Sequence, residues 1–289
     1  MATVIVGSGG WLGSALVCAL GAAPAEAAVG GQGSGVVTAG RVPVPGDPDH
    51  WAAAHGLDDT SVVINAVGGI SRESGDLAAR HVDVPRLLAR ACASVGARLV
   101  HLGSAAECGF GEPGERMDER RPPRPVSPYG RAKLAGTEEV LTQGGNCCVV
   151  RIFNIAGWPL TRGTVFDHLV RPFCDSGEVV SVETPGLDFH RDYCDRATVA
   201  GAIIELAHSS ATGLVHLCTG TATSGRQLID WCAQSSGRRV QLQVRTPADT
   251  SWVVGDDSRL RTLLHRPLVC NWPALAAGFT SPTQFNDHR

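Results

Sequence analysis

Thr3-Val4-Ile5-Val6-Gly7-Ser8-Gly9-Gly10-Trp11-Leu12-Gly13 decides how the chain is read. Four residues, three of them apolar and all four β-branched, run into Gly7, as in a strand buried on both faces. Glycines follow at 7, 10 and 13, and Trp11 to Leu20 has helical character. In a strand–turn–helix unit the glycines let the backbone turn tightly and approach a pyrophosphate. The helix N-terminus then offers its free N–H groups to that anion. The spacing alone is weak in a chain with 35 glycines; its place directly after a strand gives it weight.

Outward from this stretch, strands are expected at Gly35–Ala39, Ser61–Val67, Arg98–Leu102 and Cys147–Ile152, with helices at Leu77–Val95 and Ser127–Leu141. Strands alternating with helices call for a doubly wound α/β fold, a parallel sheet with helices on both faces. After Gly157 the pattern degrades, leaving a helix at Ala197–Ala207 and a strand at Gly213–Cys218 legible. The rest reads as irregular or helical, with helices at Gln227–Gln234 and Asp257–Leu264. The expected division is a first domain over residues 1–157, to which 187–218 return. Residues 158–186 and 219–289 form a smaller second domain.

The composition is that of a folded globule, with 43% hydrophobic and 18% charged residues. A net charge of −3 argues against a nucleic-acid partner. The ten cysteines are scattered without a C-x-x-C pair, so no metal is expected and they read as small buried hydrophobes in a reducing compartment. The N-terminus lacks a basic region before its apolar residues, and no stretch is long and apolar enough to span a membrane. A cytoplasmic protein is expected.

All but one of the 25 basic residues are arginine; Lys133 is the exception. It stands in Ser127-Pro128-Tyr129-Gly130-Arg131-Ala132-Lys133, four residues after one of only two tyrosines. On a helix that spacing puts both on one face. An ammonium beside a phenol stabilises the phenolate and brings its pKa toward the working range of an acid–base group. Ser104 follows the strand Arg98–Leu102 at its carboxyl end, where open α/β sheets bind ligands. A hydroxyl there can hydrogen-bond a substrate oxygen.

These motifs together resemble the extended short-chain dehydrogenases/reductases, the NAD-dependent epimerase/dehydratase family, over most of the chain. Gly7, Gly10 and Gly13 match its dinucleotide motif, and Ser104, Tyr129 and Lys133 its catalytic Ser-Tyr-Lys set. Arg151-Ile152-Phe153-Asn154-Ile155-Ala156-Gly157 resembles a strand end near the nicotinamide and substrate. Arg191-Asp192-Tyr193 resembles a segment whose arginine binds a nucleotide-sugar pyrophosphate. Val254 to Leu260 resembles a late segment of sugar-nucleotide members. The resemblance implies a Rossmann-type fold with a smaller C-terminal substrate-binding domain. Trp11, Leu12, Asp47, Ala66, Val67, Gly68 and Phe153 then join the glycines, Tyr129 and Lys133 on the cofactor. Ser104, Ala105, Tyr129, Asn154 and Arg191 fall on the substrate side. The sequence also departs from the family. His81 stands where an active-site Asn is frequent, and an imidazole there can join a proton relay. Thr198 replaces a common Asp and Cys108 a common Tyr. Ala105 and Ala106 stand where 4,6-dehydratases carry an acid pair.

Cofactor choice rests on the end of the second strand, where NAD-preferring sheets place a carboxylate. Here the residues are Ala39-Gly40-Arg41, and Arg41 can meet a 2′-phosphate, so NADP(H) is favoured over NAD(H). The resemblance is strongest to nucleotide-sugar 4-ketoreductases and implies reduction of a nucleotide-activated 4-keto-6-deoxyhexose in deoxysugar or antibiotic biosynthesis. It also allows a homodimer. The alternatives are an epimerase with tightly bound NAD, a ketoreductase acting on a natural-product aglycone, and a non-catalytic dinucleotide-binding regulator.

Overall fold

The computed structural model describes residues 2–21, 36–39, 42, 44–69, 77–174, 177–184, 186–245 and 250–280. The first half runs β1 (Thr3–Val6), α1 (Trp11–Ala19), β2 (Val36–Ala39), α2 (Pro48–Ala54), β3 (Val62–Asn65), a wide π-type turn (Ala79–Asp83), α3 (Val84–Val95), β4 (Arg98–Ser104), α4 (Pro128–Gln143) and β5 (Cys147–Ile152). Then follow β6 (Asn154–Ala156), α5 (Val165–Val170), β7 (Val179–Thr184), β8 (His190–Arg191), β9 (Tyr193–Asp195), α6 (Arg196–Ala207) and β10 (Gly213–Leu217). The chain continues through β11 (Thr223–Ser224), α7 (Gly225–Ser236), β12 (Arg239–Val244), β13 (Trp252–Val253), α8 (Ser258–Leu264) and α9 (Trp272–Ala276).

Six strands form one sheet in the order β10-β5-β4-β3-β1-β2, every pair parallel. Successive strands leave β1 in opposite directions, first β2 and then β3. The sheet therefore switches direction at β1, and a crevice opens there beyond the carboxyl ends of the strands. Alternation along each strand feeds both faces. Ile5, Ile64, Val100 and Val150 join Leu16 of α1 and Ile203 of α6 on one side. Val4, Val63, Leu99 and Val149 join Trp51 of α2, Leu88 of α3 and Val140 of α4 on the other. A third core gathers Phe166, Leu169, Phe173, Val180, Val182, Tyr193, Leu228 and Ile229 away from the sheet.

Two departures from the expected elements matter. Leu77–Val95 is not one regular helix: the wide turn Ala79–Asp83 interrupts it and carries His81, which is buried. The stretch expected to be irregular contains a parallel pair, β7 with β12. Its residues alternate exposed and buried along Val179–Thr184. All ten cysteines are free thiols and eight are buried.

Arg98 closes the sheet at the end opposite the crevice. Its side chain donates to the carbonyls of Leu206, Ala207 and Ala211 at 3.0, 2.9 and 2.5 Å and to Asn146 Oδ1 at 2.7 Å. Two of those carbonyls end α6, where the helix dipole favours a cation. Replacing Arg98 by Met leaves these acceptors buried without a donor. We expect urea unfolding to show a loss of about 3 kcal/mol or more. Arg86→Ala, which breaks a half-exposed pair with Asp83 and Glu139, is expected to lose under about 1 kcal/mol. Equal losses would show that Arg98 is not the anchor described.

Candidate active site

At the head of β1 the chain turns through Gly7 with φ +84°, a conformation open to glycine. Gly10 N–H closes the turn on Gly7 O at 3.0 Å. A side chain at Gly13 would place its Cβ 2.1 Å from that same oxygen, so only glycine lets α1 sit so close to the turn. No side chain caps α1. The N–H groups of Trp11, Leu12 and Gly13 in its first turn therefore face outward as an anion cradle. This geometry fits the pyrophosphate of a dinucleotide. The cradle is braced from behind: Trp11 Nε1 donates to Pro159 O at 2.7 Å, and Arg196 donates to Trp11 O at 2.8 Å and to Ser14 Oγ at 2.7 Å. The Arg196 guanidinium also stacks 5.1 Å over the Trp11 ring.

Ala66, Val67 and Gly68 follow β3 beside the turn, with Val67 N–H held by Asn65 Oδ1 at 3.1 Å. Asp47 caps α2, accepting from His50 N–H at 2.7 Å; this structural use was not foreseen. Arg41 and Gly40 lie outside the described residues.

Ser104 ends β4, and α4 begins alongside it with Ser127 as N-cap and Pro128 in the first turn. That start aims Tyr129 and Lys133 at the end of β4. The Ser104 hydroxyl, which accepts from Ala106 N–H at 3.2 Å, lies near enough to the Tyr129 phenol to act on it. His81 meets the Tyr129 ring edge-on at 5.3 Å, and its Nε2 donates to Gly69 O at 3.1 Å. Lys133 is buried and its Nζ donates to Leu102 O at 2.6 Å. Burial pushes the ammonium down to about 8, with the Glu107 charge opposing. The phenol differs from the expectation. Burial raises the Tyr129 pKa, the Ser104 hydroxyl lowers it, and the Glu107 charge adds to the rise. The lone lysine donates to a carbonyl, and burial wins at the phenol.

Behind this front lies a polar layer. Glu107 is fully buried; it accepts from Ser104 N–H at 2.7 Å and pairs with Arg151 at 2.9 Å. Arg151 donates to His216 Nε2 at 3.2 Å, and His216 Nδ1–H donates to Met117 O at 3.0 Å. Asn65 donates to His101 Nδ1 at 3.0 Å. Burial, then the Lys133 and His81 charges, hold His101 well below the usual imidazole range. Glu107 and His216 were missed as site residues. The Ser104-x-x-Glu107 spacing carries the capping-box signal that could have found Glu107.

Phe153, expected on the cofactor, packs in a small core with Ala105, Cys108 and Met117. Asn154 Nδ2 donates to Asp192 O at 3.2 Å. Arg191 is buried, stacked 5.0 Å over Phe189, and donates to Ser251 O and Oγ at 2.8 and 2.7 Å. Asp192 points inward instead, accepting from Thr219 N–H and Oγ1–H and from Gly220 N–H at 2.7–2.9 Å. Burial pushes the Asp192 carboxyl up to about 6 against those donors. Thr198 N–H is taken by Asp195, which caps α6. Among the described residues no group of three or more His, Cys, Asp or Glu is placed to hold a metal ion, and no helix is long and apolar enough to cross a membrane.

The chain is 28% identical to the dTDP-6-deoxy-L-talose 4-dehydrogenase (NAD(P)(+)) of Kitasatospora kifunensis over 217 residues, 71% of this chain and 68% of that one. It is 35% identical to the dTDP-4-dehydrorhamnose reductase of Mycobacterium tuberculosis over 177 residues, 57% of this chain and about half (53%) of that one. Two solved structures share the fold at 21% identity. They are RMD from Pseudomonas aeruginosa complexed with NADPH (TM-score 0.76, 97% of each chain) and the Thermus thermophilus UDP-glucose 4-epimerase complex with NAD (TM-score 0.75, 98% of this chain and 100% of that one). The NAD dependent epimerase/dehydratase family matches residues 3–216, from β1 into β10. The chain thus belongs to that family, the extended short-chain dehydrogenases/reductases, and is an NAD(P)-dependent enzyme.

Proposed function

We propose that the protein is a ketoreductase that uses NAD(P)H, with NADP(H) favoured, to reduce a nucleotide-activated 4-keto-6-deoxyhexose in deoxysugar or natural-product biosynthesis. The observation that carries this reading is the placement of Ser104 at the carboxyl end of β4 and of Tyr129 and Lys133 in the opening turns of α4, at the same end of the sheet as the helix-terminus cradle. A phenol that keeps its proton is poised to give it to an alkoxide. The two curated relatives support the substrate class, since both names specify a dTDP sugar and position 4. A cytoplasmic setting fits the ten free thiols.

The bound nicotinamide supplies the hydride. Ser104 Oγ polarises the substrate carbonyl, and Tyr129 gives its proton to the oxygen as it becomes an alkoxide. Lys133, whose Nζ donates to Leu102 O, would hold the cofactor ribose and would stabilise the phenolate left behind. His81, edge-on to Tyr129, fixes the ring and can pass a proton back to it. The N–H groups of Trp11 to Gly13 would hold the pyrophosphate, and Ala66 to Gly68 would lie along the cofactor. Ala105 and Asn154 would line the substrate side, and Phe153 would meet the cofactor.

Tyr129→Phe keeps the ring and removes the proton donor. We expect kcat to fall on the order of 10² or more with cofactor Kd unchanged, and Lys133→Arg to be similarly impaired because arginine lacks the compact donor. Near-normal turnover in either variant contradicts the assigned role. Because kcat/KM for NADPH reports the cofactor-free enzyme, it is expected to fall as pH rises through about 8, where Lys133 loses its proton. A profile flat across about pH 7–10 contradicts this.

Arg191 is the proposed pyrophosphate contact, and to serve it must exchange Ser251 for phosphate oxygens. That exchange lowers its net worth, so Arg191→Ala is expected to raise substrate KM about tenfold, the low end for a charge-assisted contact, and to leave NADPH affinity unchanged. Free nucleoside diphosphate should compete with substrate in the parent and poorly in the variant. No effect of either would favour an aglycone substrate.

A further inference from the structure

Arg196, the first residue of α6, directs its side chain at the back of the glycine turn. Its Nε donates to Trp11 O at 2.8 Å. Its Nη2 donates to that same oxygen and, at 2.7 Å, to Ser14 Oγ. Nη1 reaches Trp158 O at 3.1 Å. The guanidinium lies 5.1 Å over the Trp11 ring, whose Nε1–H is held by Pro159 O at 2.7 Å. Gly157 leaves room for this arrangement: a Cβ there would stand 2.8 Å from Arg196 Cβ and 3.2 Å from Trp11 Cζ2.

Trp11 O and Leu12 N–H belong to one planar trans peptide unit and point in opposite directions. Gripping the oxygen from behind therefore fixes the direction of the N–H in front, one of the free amides that open α1. A donor on the oxygen also strengthens that N–H, since hydrogen bonds in a chain polarise one another. The charge stands in an unusual place. A helix N-terminus already carries partial positive charge, so a cation bonded to the opening turn of α1 opposes the dipole. The four hydrogen bonds of Arg196 end on neutral oxygens, which leave its charge in place. Such an arrangement is unfavourable alone and becomes favourable when an anion lies before the turn.

We infer that Arg196 is a positioning residue for the cofactor: through the Trp11–Leu12 peptide it aims the Leu12 N–H at the pyrophosphate, and Gly157 keeps the space that this grip requires. The inference rests on the reading of Trp11 to Gly13 as a pyrophosphate cradle, and on neither the substrate nor the reaction. Through Trp158 and Pro159 the same contacts join the cradle to the chain that leads into the third core.

The test is ligand binding to the purified protein, followed by fluorescence for NADPH and by magnetic resonance for ADP-ribose and adenosine. ADP-ribose keeps the pyrophosphate and adenosine lacks it. Arg196→Met keeps an unbranched stem and removes the grip. The Kd of NADPH and of ADP-ribose should then rise by the same factor, about tenfold, the order of one charge-assisted hydrogen bond, while that of adenosine stays within about twofold. Arg196→Lys keeps the charge without the planar fork and should fall between the parent and Arg196→Met. Gly157→Ala, which pushes Arg196 and Trp11 apart, should weaken the same two ligands and spare adenosine. If Arg196→Met does not fold, Arg196→Lys and Gly157→Ala carry the same comparison. A lowered Tm with every Kd at the parent level would mean a structural role only and overturns the inference, as would equal weakening of all three ligands. If the parent binds ADP-ribose no more tightly than adenosine, the cradle reading fails and the inference falls with it.

Discussion

One buried ion pair organises the end of the sheet where the chemistry is placed. Glu107 and Arg151 lie between β4 and β5, and Arg151 reaches His216 on β10. Three neighbouring strands thus end in one polar network instead of three separate loops. Such a pair is not a source of net stability, because removing two charges from water offsets their attraction. Breaking it from one side leaves an uncompensated buried charge and costs about 3–5 kcal/mol. The network therefore allows one arrangement of Ser104 and makes others expensive. Specificity of geometry is what a hydride and proton transfer needs, since reacting groups must be held in near-attack positions.

A second buried carboxylate does the same for the proposed substrate side. Asp192 gathers Thr219 and Gly220. Through its backbone carbonyl it also receives Asn154. Arg191, its neighbour, is turned the other way onto Ser251. Adjacent residues on a strand point to opposite faces, so one segment supplies both an internal brace and a candidate ligand contact. Arg196, a few residues on, braces the anion cradle at Trp11. The stretch 191–196 in this way ties the glycine turn at Trp11 to the segment proposed to meet substrate.

Much of this is legible in the sequence alone. Cys147–Ile152 is buried along its whole length and reads as a continuous apolar strand interrupted only by Arg151. The glycine turn was legible because its spacing reflects a steric demand, the 2.1 Å approach at Gly13. Tyr129 and Lys133 were legible because helical spacing alone places them on one face. What was not legible depends on tertiary contact. Val179–Thr184 buries one face only, so its alternation is short and easily lost among polar residues. The direction of the Tyr129 shift depends on burial and on a carboxylate from another element. The partner of Arg191 is 60 residues away, at Ser251.

The measurement that bears most directly on the central claim is the fate of a labelled hydride. Purified protein would be incubated with NADPH deuterated at the transferred position and a nucleotide-activated 4-keto-6-deoxyhexose, and cofactor oxidation and sugar mass followed together. The account predicts one cofactor oxidised per sugar reduced, with one deuterium at carbon 4 of the product. Interconversion of sugars without net cofactor oxidation, or binding of both partners without turnover, would contradict it.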